Sequence, residues 1–391
     1  MRARQRRAVV AIALLAAVST ATARLVAVHS DEVAAAAADP VRGRFASVVS
    51  DPSSFKGELL VWASGGFSTA EVKRVRDSVQ VAAIAAVRTG LLAVESNSPS
   101  RGPGYRAVPV EAMAANREAY AAAVGRPAGQ LSAMLRKGAV LSQTSARLRK
   151  LRSGGRLRLV GGRTLRVTGV VPDWVVGGYE VAVDKDQGRQ LHLNRVTYLL
   201  LRPRGPRPAF EAAIRRLLPR RALRFQTRED RPFLRPGDGV LPLAQVKLRF
   251  GEFAVRSLAR PDPDPRWVRA NIVRGVLPVL GPVRCHRLVV ANLAAAMGDL
   301  QRMRLERLVD VADFRRQGGC WQPRPPWAGG PELSRHLWGI AVGLDVAANP
   351  SGARPVADPR LVRVMASHGF TWGGRWLRPE GGQFEWVGSG A

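Results

Sequence analysis

Between Cys320 and Trp386 the chain concentrates the side chains able to hold a metal ion or move a proton. One run reads Leu333-Ser334-Arg335-His336-Leu337-Trp338-Gly339-Ile340-Ala341-Val342-Gly343-Leu344-Asp345. A second reads Gly369-Phe370-Thr371-Trp372-Gly373-Gly374-Arg375-Trp376 and continues Pro379-Glu380-Gly381-Gly382-Gln383-Phe384-Glu385-Trp386. Together they offer an imidazole (His336), a hydroxyl (Ser334), an amide (Gln383) and three carboxylates (Asp345, Glu380 and Glu385). Imidazole and carboxylate are the ligands a catalytic zinc ion takes. A further carboxylate beside the ion is what activates a bound water.

In order and spacing the two runs resemble the zinc D-alanyl-D-alanine carboxypeptidases, enzymes that trim the stem peptides of bacterial peptidoglycan. That family writes its first motif Ser-x-His-x-x-Gly-x-Ala-x-Asp. Its second is a Gly-Phe-x-Trp-Gly-Gly-x-Trp run, then an acidic residue, two spacers and His-Phe-Glu. Ser334, His336, Gly339 and Ala341 match the first; Gly369, Phe370, Trp372, Gly373, Gly374, Trp376, Phe384 and Glu385 match the second. The resemblance implies that His336 is a zinc ligand and that Glu380 fills the general-base position. It also places Gly343 where the ligand Asp belongs and Gln383 where the second ligand His belongs. Arg324, just ahead of the first motif, becomes the residue to hold a substrate carboxylate by a bidentate contact, and Ser334 a second substrate-side residue.

The two replacements bear directly on the chemistry. A catalytic zinc needs three protein ligands and an open position for water. Glycine offers no side-chain ligand, and an amide oxygen is a poor substitute for imidazole. A rearranged set is conceivable on paper. Side chains alternate along a strand, so Asp345 would point the same way as Gly343, about 6.6 Å further on. His336, Asp345 and either Gln383 or Glu385 would then form the set.

The expected fold is α+β: a mixed N-terminal module followed by a carboxypeptidase-like domain with a small antiparallel sheet and flanking helices. Residues 246–391 form that second domain, preceded by a Pro- and Gly-rich linker over 226–245. Helices are expected over 288–304, with Leu293, Met297 and Leu300 inward, and over 360–367, with Leu361, Val364 and Met365 inward. His286 is expected at a helix start and His368 at a helix end, neither in a ligand position. Cys285 and Cys320 are the two cysteines of the chain, and in an exported protein an even pair implies one disulfide. Two buried thiols are the other reading.

The module over 45–225 carries no catalytic constellation. Glu58–Ala63 reads as a strand, and Ser68 with Glu71 as a capping box opening a helix. Val81–Val94 reads as one or two strands, 109–150 as mostly helical, and Arg156–Val167 as a hairpin turning at Gly161-Gly162. Strands follow near 179–183 and 196–201, and a helix over 209–218. His192, between two leucines, reads as a strand-edge residue.

Residues 1–30 have the form of an export signal: Arg2, Arg4, Arg6 and Arg7, then an apolar run ending in Ala21-Thr22-Ala23. A cleaved signal and a retained N-terminal anchor both place the body outside the cytoplasmic membrane. The net charge is +31, and six of the 61 cationic residues are lysine. That excess is either an Arg-rich composition or an attraction to anionic wall polymers and lipid headgroups. Nucleic acid is the rival partner, yet no basic stripe with interleaved aromatics and no DNA-binding motif is present. The densest cluster, Arg215, Arg216, Arg220, Arg221 and Arg224, reads as a solvated helix face. The function expected is that of an exported, wall-associated protein with a degenerate peptidase-like domain that binds stem peptide or a partner. The alternatives are a working zinc peptidase with the rearranged site and a basic adaptor held to anionic surfaces by charge.

Overall fold

Long runs of small and β-branched residues build the N-terminal part of the chain around one sheet. A computed structural model describes residues 57–78, 81–96, 104–125, 129–230, 233–236, 241–316, 319–323 and 333–388. The expected export segment over 1–30 lies outside these residues, as do Arg324 and parts of the 226–245 linker. Among the described residues no helix is long and apolar enough to cross a membrane.

Nine strands pair in the order β5-β6-β4-β7-β3-β2-β8-β1-β9. They are β1 (Leu59–Phe67), β2 (Val81–Glu95), β3 (Ala107–Ala115), β4 (Ala139–Ser142), β5 (Arg156–Arg158), β6 (Thr164–Val171), β7 (Val181–Asp184), β8 (Val196–Pro203) and β9 (Leu223–Gln226). The sheet is mixed: β3–β7 and β4–β6 run parallel, the other pairs antiparallel. The capping box forms as expected, Glu71 N donating to Ser68 Oγ and Ser68 N to Glu71 Oε2. Val72 and Val75 of helix Thr69–Ser78 pack with Phe210 and Ile214 of helix Arg207–Leu217 against Leu59, Val61, Leu199 and Leu201.

Three expectations are refined here. Residues 109–150 are mostly helical, as expected, over Arg117–Val124, Gly129–Lys137 and Gln143–Arg149, but β3 and β4 stand among these helices as strands with every residue buried. A strand covered on both faces loses its polar alternation, so Ala-rich β3 imitates a helix in sequence. Of the one or two strands expected over Val81–Val94, a single one forms, the 15-residue β2 (Val81–Glu95). His192 is exposed with a φ of +60°, in the turn after helix Lys185–Gln190, and not in a strand.

The later elements are β10 (Ile272–Leu277) and β11 (Gly281–His286), an antiparallel hairpin, and β12 (Ala341–Gly343), β13 (Phe370–Trp372) and β14 (Gln383–Trp386), a small antiparallel sheet ordered β12-β14-β13. Helices Val290–Arg302 and Pro359–Ser367 cover it, burying Leu293, Met297 and Leu300, and Leu361, Val364 and Met365, as their spacing predicts. This core also holds Phe250, Phe253, Trp267, Phe314, Trp338 and Phe384.

Helix Leu243–Phe250 carries a buried lysine that ties the two parts of the chain together. Lys247 Nζ lies 2.6 Å from Glu180 Oε1 and 2.5 Å from the Pro109 carbonyl. Arg149 reaches Glu180 at 2.8 Å and Glu252 at 3.0 Å. Burial pushes the Glu180 carboxyl up, but Lys247 and Arg149 outweigh it and hold it below the usual range. Val255 and Ala107 exchange backbone hydrogen bonds beside this cluster.

Candidate functional site

His336 is positioned by a short 3-10 turn, Arg335–Trp338, which Ser334 caps by accepting from the His336 N–H at 3.3 Å. Ser334 therefore shapes the turn. Gly339 ends it with a φ of +67°, and a Cβ there would lie 2.8 Å from the His286 nitrogen. Conformation and space both demand glycine at this position.

The imidazole of His336 is buried, 2% exposed, with Nδ1 3.0 Å from the Cys320 carbonyl. A ring nitrogen facing a carbonyl must carry the proton, so Nδ1–H donates, and in the neutral ring Nε2 then keeps the lone pair. That is the tautomer in which a histidine can ligate through Nε2, with its other nitrogen fixed by a carbonyl. The Gln322 N–H donates to the His336 carbonyl at 3.1 Å, closing the segment from both sides. Cys320 is bonded to Cys285, with their Cα atoms 4.9 Å apart. The expected disulfide thus anchors the carbonyl that orients His336. Cys285 and His286 end strand β11 and do not begin a helix, because the hairpin continues through them. His286 donates from Nε2 to the Phe250 carbonyl and accepts the Leu288 N–H at Nδ1. Burial lowers its pKa to about 4, so it is neutral at physiological pH.

The two positions at which the resemblance replaces a ligand meet directly. Gly343 of β12 is the register partner of Gln383 of β14, followed by Val342 with Phe384 and Ala341 with Glu385. Opposed residues in an antiparallel pair present their side chains to the same face. Phe384 and Val342 enter the core, which leaves Gly343, Gln383, Ala341 and Glu385 on the other face.

Glu380 reaches this sheet through a tight turn in which the Gln383 N–H donates to the Glu380 carbonyl at 3.0 Å. Its carboxylate accepts from Ser351 Oγ at 2.9 Å, a partner whose distance in sequence left no signal to find. Trp372 Nε1 donates to the Gly381 carbonyl at 2.7 Å, so this motif tryptophan pins the turn. Gly382 packs against the backbone of Asp345 and Val346, where a Cβ would come within 2.5 Å.

Strand alternation does not set the orientation of Asp345. The strand stops at Gly343, so alternation carries no further. Its Oδ2 instead accepts from Asn349 Nδ2 at 3.0 Å. Burial, with Asp310 and Asp313 nearby, raises its pKa. His368 pairs with Asp299 at 2.6 Å, on the helix side of the small sheet. Among the described residues no group of three or more His, Cys, Asp and Glu side chains could hold a metal ion. One imidazole, a glycine and an amide do not make a zinc donor set.

Residues 328–386 match the family model for D-alanyl-D-alanine carboxypeptidase, a small part of the chain that contains both motifs. No curated protein matches the chain. Among solved structures, the extracellular domain of the noncanonic ABC-type transporter YknZ from Gram-positive bacteria aligns at 10% identity and a TM-score of 0.30. The alignment covers 44% of this chain and all of that one.

Proposed function

We propose that the chain is an exported, cell-wall-associated protein whose carboxypeptidase-like domain no longer hydrolyses peptides and instead binds peptidoglycan stem peptide. The observation that carries this reading is the Gly343–Gln383 register pair. The two positions at which the resemblance replaces a ligand are opposed across the strand pair, which supports a ligand-site scaffold kept without its donors. His336 keeps the hydrogen bond that would orient a ligand, and Glu380 keeps its place at the turn. Without zinc, the carboxylate has no polarised water to deprotonate, and what remains is a shaped, partly polar surface. The Arg-rich start of the chain and its apolar run support export.

The rearranged zinc peptidase would require Asp345 to give up, in favour of the metal, its hydrogen bond from Asn349. The basic adaptor would rest on the +31 charge alone. Titrating the full chain with purified stem peptides ending in D-Ala-D-Ala separates the three. The proposal predicts saturable binding, weakened by His336→Ala, with no D-alanine released. Release of D-alanine that disappears in Glu380→Gln would establish the peptidase. Binding that collapses with added salt regardless of peptide structure would establish the adaptor.

A further inference from the structure

Three arginines converge where the β10–β11 hairpin meets the end of helix Val311–Arg316, outside the matched residues 328–386. Arg274 and Arg284 are register partners across the hairpin. Like charges placed directly opposite each other destabilise a strand pair. Arg284 is held in place by stacking on Trp321, its guanidinium 4.2 Å from the ring centre. Arg315 arrives from the helix and reaches the hairpin turn, its Nη2 3.3 Å from where a Cβ on Gly281 would stand. The three border an open cavity of about 610 Å³ whose lining contains no carboxylate. Among the described residues none of the three is ion-paired. Val276, Pro282 and Phe314 supply apolar wall, Val276 being 79% exposed.

We infer that this cavity is a binding site for a phosphate monoester. Three guanidinium groups offer forked donors to one oxyanion, and a phosphomonoester brings three acceptor oxygens and nearly two negative charges. A single carboxylate would offset one cation and leave the opposed pair repelling. The apolar wall fits the organic group that the ester carries. Binding would relieve the Arg274–Arg284 repulsion, so ligand and hairpin stabilise each other. The site is independent of zinc and of the fate of Gly343 and Gln383.

The test uses the full chain, with phenyl phosphate and inorganic phosphate as soluble probes and phosphatidic acid in phosphatidylcholine vesicles as the lipid probe. Calorimetry at fixed ionic strength reads the soluble probes and co-sedimentation reads the vesicles. Saturable binding is expected at one site, tighter for phenyl phosphate than for phosphate, and at least about tenfold weaker in Arg284→Gln. Arg315→Gln, on a different element from the hairpin, should weaken binding as well, so a misfolded hairpin variant does not decide the matter. Arg216→Gln and Arg220→Gln, as single variants that each remove the same one charge elsewhere, should change nothing. Vesicle binding with the same sensitivities and no response to phenyl phosphate would identify a headgroup as the source. Absence of saturable binding to either class, or equal loss in the Arg216 and Arg220 variants, would overturn the site.

Discussion

If Gly343 and Gln383 are vacated ligand positions, then restoring the donors should restore the metal. The perturbation is Gly343→Asp together with Gln383→His. Opposed residues of an antiparallel pair hold their Cβ atoms about 5 Å apart. Two ligand atoms on one tetrahedral zinc, each about 2.1 Å from it, lie about 3.4 Å from one another. A carboxylate and an imidazole rooted on Gly343 and Gln383 can converge to that separation without moving the strands. Gly343 does not have a positive φ, so an aspartate there meets no backbone penalty. His336 supplies the third donor through Nε2, its other nitrogen already fixed by Cys320. For a dissociation constant of about 1 μM, zinc at about 100 μM would stabilise the folded chain by about 2.7 kcal/mol. For a protein of this size that is a rise of about 3 °C in Tm. Thermal unfolding with and without zinc reads the shift, and elemental analysis after dialysis reads the stoichiometry. The single variants, and the double variant carrying His336→Ala, should show little of either. A double variant that keeps its circular dichroism yet gains neither zinc nor stability would refute the convergence of the three positions.

Other outcomes follow from the same structure. Replacing Cys285 and Cys320 by alanine should cost about 2–4 kcal/mol in a denaturant titration, the range for a loop of this length (separation 35). It should also broaden the His336 ring resonances, because the Cys320 carbonyl loses its anchor. Lys247→Ala should cost about 3–5 kcal/mol by leaving Glu180 and the Pro109 carbonyl short of a buried partner. A loss under about 1 kcal/mol would show that the cluster does not clamp helix Leu243–Phe250 to the sheet. Two buried groups give opposite pH slopes. His286, lowered by burial to about 4, contributes stability that is full above about pH 6.5 and lost as the pH falls toward 4. Glu58, raised to about 7 by burial against the pull of Arg228, contributes stability that is full below pH 4.5 and lost as the pH rises through 7. The two offset each other in the native chain. Stability of His286→Gln should therefore decline with pH across this window, and that of Glu58→Gln should rise; equal slopes in both would contradict the assignments.

The small sheet was legible in the sequence because its constraints are local. The glycines, tryptophans and Phe384 of the motifs each answer to a turn, a close approach or a core position within a few residues. Helices Val290–Arg302 and Pro359–Ser367 followed from apolar spacing, and the disulfide from an even count of cysteines. Strand β3 was not legible, because burial on both faces erased the alternation that marks a strand. The orientation of Asp345 was not legible for a different reason: alternation does not reach past Gly343, where the strand ends. Lys247 gave no signal at all, since a lysine in an amphipathic helix reads as solvent-facing until Glu180 and Glu252 are brought to it from elsewhere. The Arg274–Arg284 opposition became visible only with the register of β10 and β11.

The most direct measurement is the zinc content of the full chain with its native residues, loaded with zinc, dialysed and analysed for metal. The account predicts far less than one zinc per chain, with no change in His336→Ala. Close to one zinc per chain, lost in His336→Ala, would contradict it and return the domain to the peptidases.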